Sequence, residues 1–264
     1  MLEMYLFTRK SGESWLCLLV FLLFPFISSY PAASQNQPPE IAKQHFAKGL
    51  SALKAGDGGM AVAHFSQVLK SDPEWVEAYV NRGLGYLLQD EVTKALQDFD
   101  QALTLQPDSF EALYNRGRTY TRMGEPKKAV ADYSQALKIR QDDWQVYYNR
   151  GNAYLDAGQP KEALKDYDQA LRLKPDAPEI LHNRGLALLE EGKPAEALQA
   201  FDQVLLLNPE YARAYFNKGQ ALRALGRKEE AAQAFREFLK KGEPGADKAL
   251  LEKSLAILNN MALD

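Results

Sequence analysis

Thiols are almost absent from this chain of 264 residues: its one cysteine, Cys17, lies inside an apolar run near the N-terminus. Everything after it can form neither a disulfide nor a thiolate metal site. Histidine is nearly as scarce. His45, His64 and His182 include no pair at an interval that would set two on one helix face, so a histidine-based metal motif has no support. No phosphate-binding loop, nucleophile elbow or glycine-rich dinucleotide fingerprint is present, and paired acids such as Asp98 with Asp100 and Asp166 with Asp168 recur with a regular spacing that points to surface charge and ion pairs. The expectation is a chain with no catalytic residues, no metal and no cofactor. A basic excess is missing too: 32 Lys and Arg against 35 Asp and Glu leave a net charge of −3, which argues against a nucleic-acid partner. What remains, 46% apolar and 25% charged residues, is the composition of a folded globular protein.

Long hydrophobic runs are also lacking, with one exception. Residues 15–27, from Trp15 to Ile27, follow Arg9 and Lys10 and precede Ser28, Ser29, Ala32 and Ser34. A basic flank, a short apolar core and small residues come in the order of an export signal, with a cut expected after Ser34. The run is short for a helix that must cross about 30 Å of hydrocarbon. An uncleaved membrane anchor through residues 15–27 is the alternative. Either reading places the rest of the chain outside the cytoplasm, in a periplasmic or extracellular space. Residues 35–41 read as a polar linker.

Beyond the linker the chain repeats itself. Glycine stands at 49, 83, 117, 151, 185 and 219, each 34 residues after the last, and alanine does the same at 61, 95, 129, 163, 197 and 231. With 17 glycines in 264 positions, chance coincidence of the five later glycines is on the order of one in a million. Aromatics keep the same step at Phe65, Phe99, Tyr133, Tyr167, Phe201 and Phe235. Within a unit, two stretches of helical periodicity are separated by a break carrying Gly56, Gly124, Gly158, Gly192 or Gly226, with Asp90 in the one exception. Pro126, Pro160 and Pro194 suit the first turn of the second helix. Proline at 73, 107, 175 and 209 is expected to stop that helix, with Gln141 and Glu243 in its place in two units. Each unit therefore predicts a helical hairpin that can bury its apolar faces only by stacking on its neighbours.

These residues resemble the tetratricopeptide repeat family over residues 42–245, divided as 42–75, 76–109, 110–143, 144–177, 178–211 and 212–245. The resemblance implies an all-α fold, a right-handed superhelical solenoid of hairpins. Residues 246–264 read as a capping helix and tail, with Asp247 able to cap the start. The first unit, with Gly58 and Gly59 in its second helix, is expected to be the least stable.

Counting each unit from its first residue, asparagine recurs at the sixth position as Asn81, Asn115, Asn149, Asn183 and Asn217. This is similar to the asparagine ladder of some family members, such as the repeat region of the O-linked N-acetylglucosamine transferases, and a carboxamide both donates and accepts to a peptide backbone. Bonding within the array is the other reading of the same residues. The seventh position is Lys48, Arg82, Arg116, Arg150, Arg184 and Lys218. Asp98, Asp132 and Asp166, sixteen residues on, are expected to pair with the first three arginines, Arg82, Arg116 and Arg150, whereas Arg184 and Lys218 face alanines and are expected to reach solvent or a ligand. In the family, the concave wall is lined by the first helices. The resemblance thus implies a groove containing Tyr114, Tyr148 and Phe216 from the fifth position and Arg118 and Asn152 from the ninth. That wall is apolar at both flanks and polar in the middle, and suits a peptide laid into it. The lysine and basic residue that form a carboxylate clamp for chaperone C-termini in some relatives are missing. The functional expectation is a non-catalytic scaffold that binds a peptide segment of a protein partner in the cell envelope. A self-assembling scaffold, built by contacts between arrays, is the alternative.

Overall fold

The computed structural model describes residues 39–261 apart from 244 and 246. The export signal or anchor, its cut after Ser34 and most of the linker lie outside the described residues. Residues from Glu40 onward form one unit. Among the described residues there are thirteen helices and no strand: α1 (Glu40–Lys54), α2 (Gly58–Ser71), α3 (Val76–Leu88), α4 (Val92–Leu105), α5 (Phe110–Arg122), α6 (Pro126–Ile139), α7 (Trp144–Asp156), α8 (Pro160–Leu173), α9 (Pro178–Glu190), α10 (Pro194–Leu207), α11 (Ala212–Ala224), α12 (Lys228–Lys241) and α13 (Lys248–Met261). None is long and apolar enough to cross a membrane.

Local chemistry sets the hairpin. At the end of α5, Gly124 takes φ +70°, the left-handed conformation that an L side chain resists. The chain then folds back so that Gly124 N–H donates to Thr121 O at 3.1 Å and Glu125 N–H to Tyr120 O at 2.9 Å. This double bond satisfies carbonyls that the helix end would leave orphaned. Asp90 takes the same conformation, φ +62°, and supports the same pair of bonds, from Asp90 and Glu91 to Leu87 and Tyr86. The second helix begins two residues after this turn, and in α6, α8 and α10 proline occupies the first turn.

Close approach inside the hairpin explains the glycine at the eighth position. A Cβ placed on Gly185 would lie 2.5 Å from the Phe201 ring. Phe201 and its counterparts in the other hairpins are at most 1% exposed, and the repeat alanines, Ala61, Ala95, Ala129, Ala163, Ala197 and Ala231, are fully buried. Proline is less necessary than its recurrence suggests. α6 ends at Ile139, the same point as its neighbours, although Gln141 stands where they have proline, because Arg140 turns to an extended conformation (φ −130°, ψ 105°).

Hairpins pack in chain order, α2 on α3, α4 on α5 and so on to α10 on α11. The odd-numbered helices also touch one another from α1 to α11, and no pair of even-numbered helices packs comparably. The array therefore curves with its odd-numbered helices on the inner side. Its two ends are finished differently. In α3, α5, α7, α9 and α11 the residue facing the preceding hairpin is buried Ala78, Ala112, Val146, Ile180 or Ala214, whereas α1 carries exposed Gln44 there. A polar outer face is what a terminal repeat needs. Gly58 has a packing reason that its sequence position conceals: it lies at the start of α2, where a Cβ would meet Gly85 O at 2.7 Å. At the other end, Leu250, Leu251, Ile257 and Leu258 of α13 cover the last core cluster around Phe235 and Phe238. Asp247 does not serve as a side-chain cap in the expected way. Its carboxylate accepts from Arg213 Nε at 2.8 Å and from Glu243 N–H at 3.2 Å.

Candidate functional site

The first helices present their fifth, sixth and ninth residues to the inner side, where the ladder of asparagines divides into two kinds. Asn81 and Asn115 each fold back on their own helix, donating Nδ2–H to Glu77 O at 2.7 Å and Glu111 O at 2.8 Å. The later three reach to the preceding hairpin. Asn149 donates to Tyr114 Oη at 3.0 Å and Asn183 to Tyr148 Oη at 3.0 Å, while Asn217 Nδ2 lies 3.2 Å from His182 Nε2. The difference follows from the fifth residue thirty-five positions earlier. Phe46 and Val80 offer no acceptor, and Tyr114, Tyr148 and His182 do.

Asn183 also donates to Asn152 Oδ1 at 2.9 Å, and Tyr167 Oη–H donates to the same oxygen at 2.8 Å. Tyr114 with Asn149, and Tyr148 with Asn152 and Asn183, thus form a half-buried polar network in two separately bonded parts on α5, α7 and α9. Each of these carboxamides retains a second N–H, or an oxygen, beyond the bonds given, so the network can still meet a peptide backbone. Burial pushes the Tyr114 phenol up from its ordinary value, which keeps it a neutral donor and acceptor. Arg118 is exposed, with its guanidinium 5.8 Å from the centre of the Tyr114 ring. Phe216 has a different place from the one expected. It is 5% exposed and packs edge-on against Phe235 and Phe238, so it belongs to the core under the wall rather than to the wall itself.

His182 is the unusual member. It is buried to 6% exposure between Tyr211 and Phe201. With Asn217 donating to Nε2, the ring proton sits on Nδ1, which is buried without a hydrogen-bond partner. Burial, with Arg213 adding repulsion, lowers its pKa to about 4. His45 and His64, not separable as partners by helical spacing, meet across α1 and α2 with their Nδ1 atoms 3.1 Å apart. Among the described residues no three side chains of metal-ligand type converge.

The charged seventh position runs along the hairpins as a staple. Arg82, Arg116 and Arg150 each donate two hydrogen bonds, at 2.7–2.8 Å, to Asp98, Asp132 and Asp166. The free nitrogen of each reaches back to the preceding hairpin, to Ser66, Asp100 or Ser134. The bonds to Asp98 and Asp132 hold the Arg82 and Arg116 guanidinium groups above their ordinary values. At Asp166, burial pushes the carboxyl up although Arg150 donates to it, the cost to be expected when a charge pair leaves water. Arg184 and Lys218 keep 29% and 30% of their side chains exposed but do not stand alone. They turn instead to the acids of the preceding hairpin, Asp168 and Asp202, each at 2.7 Å.

Comparison with known proteins places these features. Family models described as tetratricopeptide repeat match residues 46–110 and 182–247, and a further one matches 99–131. One described as TPR repeat matches 117–158 and 151–192. No functionally curated protein matches the chain. Among solved structures, it is similar to one described as YrrB, a TPR protein with an unusual peptide-binding site, with TM-score 0.63 and 24% identity over 72% of this chain and 96% of that one. It is also similar to MamA (TM-score 0.59, 24% identity, 66% of this chain and 95% of that). MamA from Desulfovibrio magneticus RS-1 gives TM-score 0.63 at 19% identity, over 66% and 99%.

Proposed function

Because the chain belongs to the tetratricopeptide repeat family, we propose that it is a non-catalytic scaffold whose inner face binds a peptide segment of a protein partner. The observation that carries this reading is the network of Tyr114, Tyr148, Asn149, Asn152 and Asn183 on the inner helices. Its members are half-buried and held by one another, so little side-chain entropy is left to lose when a peptide arrives. The peptide-binding site of YrrB is a property of that protein and supports the reading by analogy of fold. The basic, apolar and small residues before Ser34 further support a place in the cell envelope. Partner capture from intact cells, with the native N-terminus retained, tests both parts. Alanine at Asn115, Asn149 and Asn183 together is expected to abolish capture while helicity is kept, and N-terminal sequencing is expected to start at Gln35. Capture undiminished by the triple replacement would remove the ladder from the binding site.

Self-assembly is the second reading, favoured by one observation. Ile139, Leu173 and Leu207 end successive second helices at 43–45% exposure, beside Leu206 at 83%. Light scattering of the mature chain decides: a strict monomer at high concentration removes it.

A further inference from the structure

The odd-numbered helices leave a cleft of about 430 Å³ between α3 and α5, on the N-terminal side of the polar network. Its apolar part is Val76, Val80 and Leu84. Two carboxylates, Glu77 and Glu111, stand on it, one from each helix, and its lining contains no lysine, arginine or histidine. Two of the three amides in the lining, Asn81 and Asn115, add to this bias. Asn81 and Asn115 spend a donor on their own backbone, at 2.7 and 2.8 Å. Only the NH2 group can donate to a carbonyl, so each amide keeps its whole oxygen and one N–H. The cleft is therefore rich in acceptors and negative charge over an apolar base.

We infer that this cleft anchors a cationic side chain of the partner, arginine before lysine, with its methylene stem on Val76, Val80 and Leu84 and its charged head between Glu77 and Glu111. The inference rests on the reading of the inner face as a peptide-binding groove. Long basic side chains combine an apolar stem with a charged end, which is the pattern of this cleft. A guanidinium brings five donors in a planar fork and matches a carboxylate better than an ammonium does. The chain itself shows that Glu111 accepts such a group: Arg140 Nη2 lies 3.3 Å from Glu111 Oε1, with the pair half-exposed. That long contact would be exchanged for the partner's.

The test is a titration of the full chain, carrying labelled valine and leucine methyl groups, with acetyl-Ala-Arg-Ala-amide and its lysine and citrulline forms. Citrulline keeps the shape of arginine and removes its charge. The arginine probe is expected to shift the methyl signals of Val76, Val80 and Leu84, and to bind about tenfold more weakly in the E77Q/E111Q double variant, with the citrulline probe similarly weakened. Equal binding of the citrulline probe, shifts confined to other methyl groups, or no shift with any probe would each overturn the anchor. Partner capture separates this inference from the groove reading. Capture lost on replacing the asparagines but unchanged in E77Q/E111Q sinks the anchor alone, and capture indifferent to both sets sinks the groove as well.

Discussion

At His182 one side chain makes the whole array sensitive to acid. In the unfolded chain the imidazole takes up a proton near its ordinary pKa of 6.5, whereas in the folded array burial, with Arg213 nearby, holds that uptake down to about 4. Between those values the unfolded state binds more protons, so stability falls as pH drops below 6.5 and the loss is complete below about 4. A shift of that size corresponds to roughly 3 kcal/mol. Melting followed by circular dichroism from pH 7 to pH 4.5 is expected to show the decline. In His182→Tyr the slope should be reduced, since a phenol there gives Asn217 the partner that Tyr114 and Tyr148 give Asn149 and Asn183. An unchanged slope in that variant would show that groups other than His182 carry the acid sensitivity.

Helix boundaries belong to the scale of the element, and there one position is set against its own backbone. Asp90 holds φ +62° where the other hairpins use glycine. Left-handed backbone costs an L residue roughly 1–2 kcal/mol, less for Asp than for most. Asp90 also pairs with Arg122, but both groups are more than half exposed, and such a pair is worth at most about 1 kcal/mol. Asp90→Gly is therefore expected to stabilise the array slightly, by about 0.5 kcal/mol, read as a raised denaturation midpoint. A lowered midpoint would mean that the pair with Arg122 outweighs the backbone term. The hairpins were legible in the sequence because their turns need particular backbones: Gly124 and Asp90 could be placed in the left-handed region from residue type alone. The wiring of the inner face was not. Whether Asn149 bonds a partner, its own helix or Tyr114 depends on a residue thirty-five positions away, and the periodic signal gives every unit the same asparagine. The placement of Phe216 failed for a related reason, because its burial depends on Phe238, which has no part in the repeating signature.

Across the molecule, stability in a stacked array is close to a sum of hairpin terms and neighbour interfaces, so the ends decide where opening begins. The two ends are unequal. Among the described residues α1 buries only Ala42 and Gly49 and packs on α2 and α3 alone. At the far end, α13 places four apolar side chains over a cluster that includes Phe201, Phe216, Phe235 and Phe238. Opening should therefore start from α1 and α2 and progress toward α13. Hydrogen exchange is expected to be fastest in α1 and α2, slowest from α7 to α12, and to speed up in α11 and α12 when residues 248–264 are removed. The same gradient bears on binding, since the cleft between α3 and α5 sits next to the weaker end and the polar network on α5, α7 and α9 sits in the protected middle. A partner that fills both should slow exchange in α3 more than in α9, because only the former has opening left to suppress. Uniform protection along the free array would instead mean that it opens as one cooperative unit, and a bound partner would then slow exchange in both helices alike.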